Sequence, residues 1–285
     1  MLTRAINSVL NQTYTEIECI VVDDFSNDDT PGVINLFEDN RLLYVRHEIN
    51  KGASAARNNG IRLSKGELIS FLDDDDEWMH DKLEKQVDLL EKTSHNVGLV
   101  YCWMSYIKND KELYRYQPNL KGYIFKDMLD KQAIGNSSTL LIRRSVVNDI
   151  GDFDESLPRG NDGDYIRRIC RKYYVEFFPE VLVKLHVDHG SKRISDDNKE
   201  SIEQIIQSLK IRFDKFPREI KEFPDQAASI CVYIALNYAK ISEIGKSLYW
   251  AFNAILKSPL NLKIYIRIFR LIIEQLLFSK NRFNL

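Results

Sequence analysis

Glu67-Leu68-Ile69-Ser70-Phe71-Leu72-Asp73-Asp74-Asp75-Asp76-Glu77-Trp78 sets a short apolar run of strand character directly against four successive aspartates. Core packing does not explain such a run, because like charges one or two residues apart repel and resist desolvation. At the end of a strand it suits either open solvent or a bound cation with hard oxygen ligands. In open α/β sheets, ligands occupy the crevice beyond the carboxyl ends of the strands. A divalent cation holding a diphosphate is therefore one reading of these acids. The other is a solvated turn in which an Asp caps the helix that follows.

On both sides of this stretch, helix-length and strand-length patterns alternate. Met1 to Asn11 reads as a helix with Ala5, Ile6, Val9 and Leu10 as its apolar stripe. Ile17 to Val22 is a β-branched run that ends on Asp23-Asp24, and Asp28-Asp29-Thr30-Pro31 then opens a helix with Pro at an early position. Arg41 to Arg46 reads as a strand and Gly52 to Leu63 as a helix of mostly small residues. Downstream, Lys82 to Lys92 is amphipathic, with Leu83, Val87, Leu89 and Leu90 on one face, and Val97 to Tyr106 is a strand. Tyr123 to Leu129 reads as helix, Ser138 to Ile142 as strand, Gly151 to Gly163 as a loop and Asp164 to Lys172 as helix. Tyr174 to Val187 is a strand pair or one bent strand, because Pro179 cannot donate within a ladder. This order predicts an α/β fold with a mostly parallel, doubly wound sheet flanked by helices. From Ser201 onward the pattern is helical and punctuated by Pro217, Pro224 and Pro259. A boundary is expected near Gly190 to Asp197, giving residues 1–190 as one domain and 191–285 as a helical extension.

Composition narrows the function classes. The 285 residues are 44% hydrophobic with a net charge of -2, enough to bury a core and without a global attraction for nucleic acid. Cys19, Cys102, Cys170 and Cys231 are widely spaced, so neither a zinc site nor a disulfide framework is predicted. No apolar run reaches the ~18 residues of a membrane span, and no leader opens the chain, so the cytoplasm is the expected compartment.

Asp23-Asp24 and Asp73 to Asp76 both follow strands and can face one crevice. Asp23 and Asp24 are read either as ligand groups or as a turn pair capping the next helix, and one of the two is expected to be the turn residue. Arg57 stands among small residues, where a guanidinium could meet a base or phosphate, or else a surface carboxylate. Trp78 is expected against the sheet.

Four segments carry a family resemblance. Val21-Val22-Asp23-Asp24-Phe25-Ser26-Asn27-Asp28, Asn50-Lys51-Gly52-Ala53-Ser54-Ala55-Ala56-Arg57-Asn58, Phe71 to Trp78, and Gly151-Asp152-Phe153-Asp154-Glu155 with Asp162 resemble family 2 glycosyltransferases, inverting enzymes of the GT-A (Rossmann-like) fold. The resemblance runs from about Thr3 to Ser191. It implies metal-dependent transfer of a sugar from a nucleoside diphosphate donor, with a UDP-sugar expected, to a glycan or lipid-linked acceptor in surface polysaccharide synthesis. It further implies Mn2+ or Mg2+ at an Asp-x-Asp motif, here Asp73-Asp74-Asp75. Carried over by position, Asp24 would hold the base, Arg57 would support the nucleotide, Asp73 would sit by the ribose and metal, and Asp75 would ligate the metal. The family's catalytic base falls on Asp162. The acid that usually precedes it is replaced by Asn161, which puts the companion role in doubt, and Asp164 is the nearby competitor for the base. His189, and with less weight His186, is a further candidate beside the metal. A nucleotidyltransferase and a nucleotide-sugar binding module without catalysis are the alternative readings. The former lacks the glycine-rich, basic phosphate loop it would need.

Two expectations remain. The family's first strand is absent from this sequence, so its neighbours, Ile17 to Val22 and Glu67 to Leu72, should be separated by a gap, and the given start is read as late. Ile264 to Phe278 is apolar over most of its circumference, with Lys263, Arg267, Arg270 and Glu274 as a polar stripe. Such a helix buries its wide face on its own protein, in a homodimer, or peripherally on a membrane, which adds the inner membrane face to the expected locations.

Overall fold

The computed structural model describes residues 1–187 and 198–270. It divides into two compact units, residues 1–128, 132–155 and 161–190 in the first, and 129–131, 156–160 and 191–285 in the second. The first unit opens α1 (Leu2–Leu10), β1 (Cys19–Asp23), α2 (Thr30–Ile34), β2 (Leu42–Arg46), α3 (Ala53–Leu63), β3 (Leu68–Ser70), β4 (Asp76–Trp78) and α4 (Lys82–Glu91). It continues β5 (Val97–Lys108), β6 (Lys111–Tyr116), α5 (Phe125–Asp130), β7 (Leu140–Arg143), α6 (Arg144–Ile150), α7 (Asn161–Lys172) and β8 (Tyr174–His186).

The α/β class predicted from sequence holds, but the strand directions are mixed rather than mostly parallel. β1 pairs β2, and β5 pairs β8, in parallel. β7 is antiparallel to both β3 and β5, β4 to β8, and β6 to β5. Among the antiparallel pairs only β5–β6 is a hairpin; the others are joined by long connections, as the parallel pairs must be. The β5–β6 turn has only Asn109 and Asp110 between Lys108 and Lys111, both at positive φ (47° and 59°), as a two-residue hairpin requires. Asn and Asp tolerate that region, and their period-breaking polarity is the signal that could have revealed β6.

Strand order in the larger sheet is β3-β7-β5-β8-β4, with β6 on β5, while β1 and β2 form a separate pair. The two segments expected to flank a gap, β1 and β3, thus lie in different sheets. β8 is the bent single strand of the two options. Its register on β5 jumps from Phe178 opposite Cys102 to Val181 opposite Trp103, so Pro179 sits in a bulge where no ladder donor is needed.

Val100, Cys102, Leu83, Val87, Leu90 and Trp78 form the core between α4 and the sheet. Trp78 is buried there as predicted, and its indole donates to the Ser138 carbonyl at 2.8 Å. Lys82 is buried in the same layer. Its Nζ donates to Ser70 Oγ at 3.2 Å and lies 4.0 Å from the centre of the Trp78 ring.

Burial pushes the Lys82 pKa down to about 8. Below that value both folded and unfolded chains hold the proton, and the desolvation cost is present in full. Between about 8 and the unfolded value of ~10.4 the unfolded chain binds more protons, so stability rises with pH. Lys82→Met, close in shape, is expected to gain about 1–3 kcal/mol at neutral pH, the Trp78 contact retaining part of the ammonium's cost. Urea unfolding should show that gain shrinking toward pH 10. An equal gain at both pH values would mean that the ammonium is not desolvated.

In the second unit, α8 (Lys199–Lys215), α9 (Pro217–Glu222), α10 (Pro224–Lys240) and α11 (Ile244–Lys257) are followed by helical residues 262–270. Asn198 caps α8 by accepting from the Ser201 amide at 2.8 Å, and Pro217 and Pro224 begin α9 and α10, where a missing amide hydrogen costs nothing. α10 is buried on nearly every side, with Ala228, Cys231, Val232 and Ala235 central to the unit's core. The helix expected over Ile264 to Phe278 is described only as far as Arg270, and the remainder lies outside the described residues.

Candidate active site

Three consecutive residues of α3 organise the site. On a helix they project about 100° apart, so Arg57, Asn58 and Asn59 reach three different segments. Gly52, at φ 89°, makes the turn that starts the helix, and the small Ser54 and Ala55 are buried on it.

Arg57 donates to Asp73 Oδ1 at 2.7 Å and pairs with Asp162 Oδ1 at 3.2 Å. It therefore joins the acidic stretch after β3 to the first turn of α7. Its guanidinium lies 5.6 Å from the Phe153 ring centre. Phe153 in turn stacks on Tyr165 at 3.9 Å and meets Phe71 edge-on at 5.3 Å. Phe71 and Phe153, from two of the quoted motifs, thus form with Tyr165 an aromatic cluster beside the arginine. Burial opposes its charge, but Asp162 and Asp73 more than compensate and hold its pKa above the ordinary arginine value.

Asn58, almost wholly buried, donates to the Phe153 carbonyl at 3.0 Å and Glu155 Oε1 at 2.8 Å, and accepts from the Phe153 amide at 2.7 Å. It clamps the Gly151-Asp152-Phe153-Asp154-Glu155 loop to α3. Asn59 reaches His47 Nε2 at 3.1 Å, and His47 Nδ1 lies 2.8 Å from Asp24 Oδ1. With the Asn59 amide donating, the imidazole donates from Nδ1 to the carboxylate.

Asp24 also accepts from the Lys51 amide at 2.8 Å and the Gly52 amide at 2.6 Å. Burial raises its pKa, but these donors outweigh burial and leave it below the usual carboxylate range. Asp23 is the turn residue of the pair. It accepts from the Ser26 amide and hydroxyl at 2.8 and 2.7 Å and from Tyr44 Oη at 2.7 Å. Asp24 accordingly stands in a different network from Asp73, Asp75 and Asp162, with α3 as the common support.

In the acidic stretch, carboxylate oxygens of Asp73, Asp75 and Asp76 approach within 4.8 Å of one another. Asp74 is outside this group. Asp76 joins Asp73 and Asp75 because its place as the first residue of β4 is set by pairing with Leu185 on β8, a contact that its local sequence does not specify. It accepts from Ser138 Oγ at 2.6 Å and Asn136 Nδ2 at 3.3 Å. Burial, then the Asp73 charge, pushes its pKa to about 7. Asp73 is also raised, by burial first, with Arg57 opposing and Asp162 and Asp75 adding to it. Three oxygen donors that resist being charged together are a donor set suited to a hard dication, which keeps several waters and needs few protein ligands. The residues fit such an ion.

Asp162 accepts from the Ser137 amide at 3.3 Å through Oδ2. Its other oxygen is buried and, beyond the Arg57 ion pair, takes no hydrogen bond among the described residues. Asn161 donates to Ser54 Oγ at 2.9 Å and accepts from the Asp162 amide at 3.1 Å, tying the start of α7 to the start of α3. A glutamate there could not donate to Ser54 in its ionised form, so in this chain position 161 is a strut. Asp164 turns to Arg168 one turn on, at 3.0 Å. His186 lies 3.0 Å from Glu77 Oε2. His189 lies outside the described residues.

The fold is that of GT-A glycosyltransferases. The mannosyltransferase PcManGT from Pyrobaculum calidifontis, solved with GDP-Man and Mn2+, superposes with a TM-score of 0.57 at 18% identity, covering 96% of this chain and 83% of that one. Residues 1–151 match Glycosyl transferase family 2, and the chain belongs to that family. An uncharacterized glycosyltransferase of Rickettsia felis is 33% identical over 216 residues, 69% of this chain and 34% of that protein. The chain therefore spans about a third of that relative's length. The Escherichia coli protein WfgD, named UDP-Glc:alpha-D-GlcNAc-diphosphoundecaprenol beta-1,3-glucosyltransferase, is 33% identical over 147 residues, 52% of this chain and 56% of that protein.

Proposed function

We propose that this chain is a metal-dependent, inverting glycosyltransferase that moves a sugar from a UDP-sugar to a hydroxyl of a lipid-linked or glycan acceptor in surface polysaccharide synthesis. Residues 1–190 form its catalytic domain and 191–285 its helical extension. The observation that carries the reading is Arg57, which holds a carboxylate of the acidic stretch and the carboxylate at the head of α7 on one guanidinium. Donor-side and acceptor-side acids thereby share a single anchor.

In this reading Asp73, Asp75 and Asp76 would hold Mn2+ or Mg2+, which would supply positive charge for a departing diphosphate. Asp24, with His47 fixing its orientation, faces the donor's base. Arg57 keeps Asp73 and Asp162 apart and in register. Asp162, whose Oδ1 is ion-paired with Arg57 and takes no other hydrogen bond among the described residues, takes the proton of the acceptor hydroxyl as the hydroxyl oxygen attacks the anomeric carbon from the face opposite the leaving group. One displacement inverts the anomeric configuration. The name of WfgD supports UDP and an acceptor on a diphosphate lipid, and the ligands of PcManGT support a nucleotide sugar with Mn2+.

The test is product analysis with a panel of UDP- and GDP-sugars, Mn2+, and diphospholipid-linked sugars as acceptors. An inverted glycoside from a UDP-sugar is the expected product. Retained configuration, or transfer of a nucleotidyl group, would overturn the mechanism. Donor binding without turnover would make the chain a binding module.

A further inference from the structure

We infer that the helices at 244–270 form a docking surface for an anionic lipid bilayer. The inference stands on the second unit alone and does not require the proposed activity. Residues 244–270 contain Lys246, Lys257, Lys263, Arg267 and Arg270 and no Asp or Glu, although the whole chain is slightly acidic; Lys246 is paired at 3.2 Å with Glu243, just before α11, so the charge rests chiefly on the other four.

α11 buries Ser247, Ala251 and Ala254, small residues that let it lie close on α10. Its outer side carries Leu248, Tyr249, Phe252 and Leu256, each more than half exposed, at the spacing of one helical face. Residues 262–270 repeat the pattern. Ile264 and Ile268 enter the core with α10, while Leu262, Ile266 and Phe269 face outward beside the exposed Lys263, Arg267 and Arg270.

Single exposed apolar residues are ordinary, but a run of them over two successive helices calls for a partner. That partner must be apolar within and anionic at its surface. An anionic bilayer has this layered order, and helices with Leu and aromatic residues on one side and Lys or Arg on the other lie in its interface. A second copy paired through the same face would bring Lys263, Arg267 and Arg270 of one copy toward like charges on the other. Among the described residues no helix is long and apolar enough to cross a membrane, and the contact inferred is one face of helices whose other face is packed on α10.

The test is sedimentation of the full chain with vesicles in the absence of donor. Binding is expected to phosphatidylcholine vesicles containing phosphatidylglycerol, to weaken with salt, and to be lost on phosphatidylcholine alone. Lys263→Gln with Arg270→Gln should lower partitioning on the order of thirtyfold. Leu248→Ser with Phe252→Ser should lower it at least about tenfold. Both variants alter exposed side chains and should keep the wild-type melting temperature. Absence of vesicle binding, equal binding to neutral vesicles, or unchanged binding by both variants would overturn the inference. So would a dimer in sedimentation velocity that the Leu248→Ser, Phe252→Ser pair disperses.

Discussion

Asp162→Asn is expected to lower turnover by about 10²–10⁴-fold, the range typical of a positioned general base, while donor affinity stays within about twofold. The amide keeps the shape of the side chain and can still accept from the Ser137 amide through its oxygen, at the cost of the ion pair with Arg57, which keeps its bond to Asp73. It cannot take a proton from an acceptor hydroxyl. Because the group acts on the acceptor, the loss should appear in kcat and kcat/KM together and leave donor binding alone. The paired control is Asp164→Asn. Asp164 is committed to Arg168, so its substitution should cost stability rather than rate. A measurement in which Asp164→Asn loses turnover and Asp162→Asn keeps most of it would move the base by half a turn of α7 and retire the assignment made here.

Asp75→Ala is expected to weaken donor binding at least about tenfold, and a chelator should have a comparable effect on the unmodified chain. The reason is electrostatic. A diphosphate brought beside Asp73, Asp75 and Asp76 meets carboxylates already crowded within 4.8 Å, two of them with pKa values raised by burial and by one another. A dication between them would reverse the sign of that interaction. Asp74 offers a sharp control, since its carboxyl is not part of the cluster and Asp74→Ala should bind donor nearly as the parent does. Calorimetric titration with a UDP-sugar, with and without Mn2+, reads both variants. Equal affinity with and without metal, or equal losses at positions 74 and 75, would remove the metal from donor binding.

Much of this arrangement was legible in sequence, for a local reason. Period and turn chemistry act over a few residues, so α1, β1, α3, α4 and α7 could be placed from apolar spacing, and the four acidic and glycine-bearing segments identified the family. Asp73, Asp75, Asp162 and Arg57 were nameable for the same cause. Each stands in a motif that reads without its neighbours in space. What the sequence alone left open depends on residues far apart in the chain. Arg57 could have met a phosphate or a surface carboxylate, and only the approach of α7 to α3 set it between Asp73 and Asp162. Asp76 joins the acidic cluster because β4 pairs with β8. His47, Asn58 and Asn59 carry no composition signal of their own, since a histidine or asparagine becomes a strut only when burial removes its water and a partner replaces it. The mixed strand directions have the same origin. Alternation of elements specifies that a sheet will form, whereas the side-by-side order of its strands is decided by which hydrogen-bonding edges meet when the core closes.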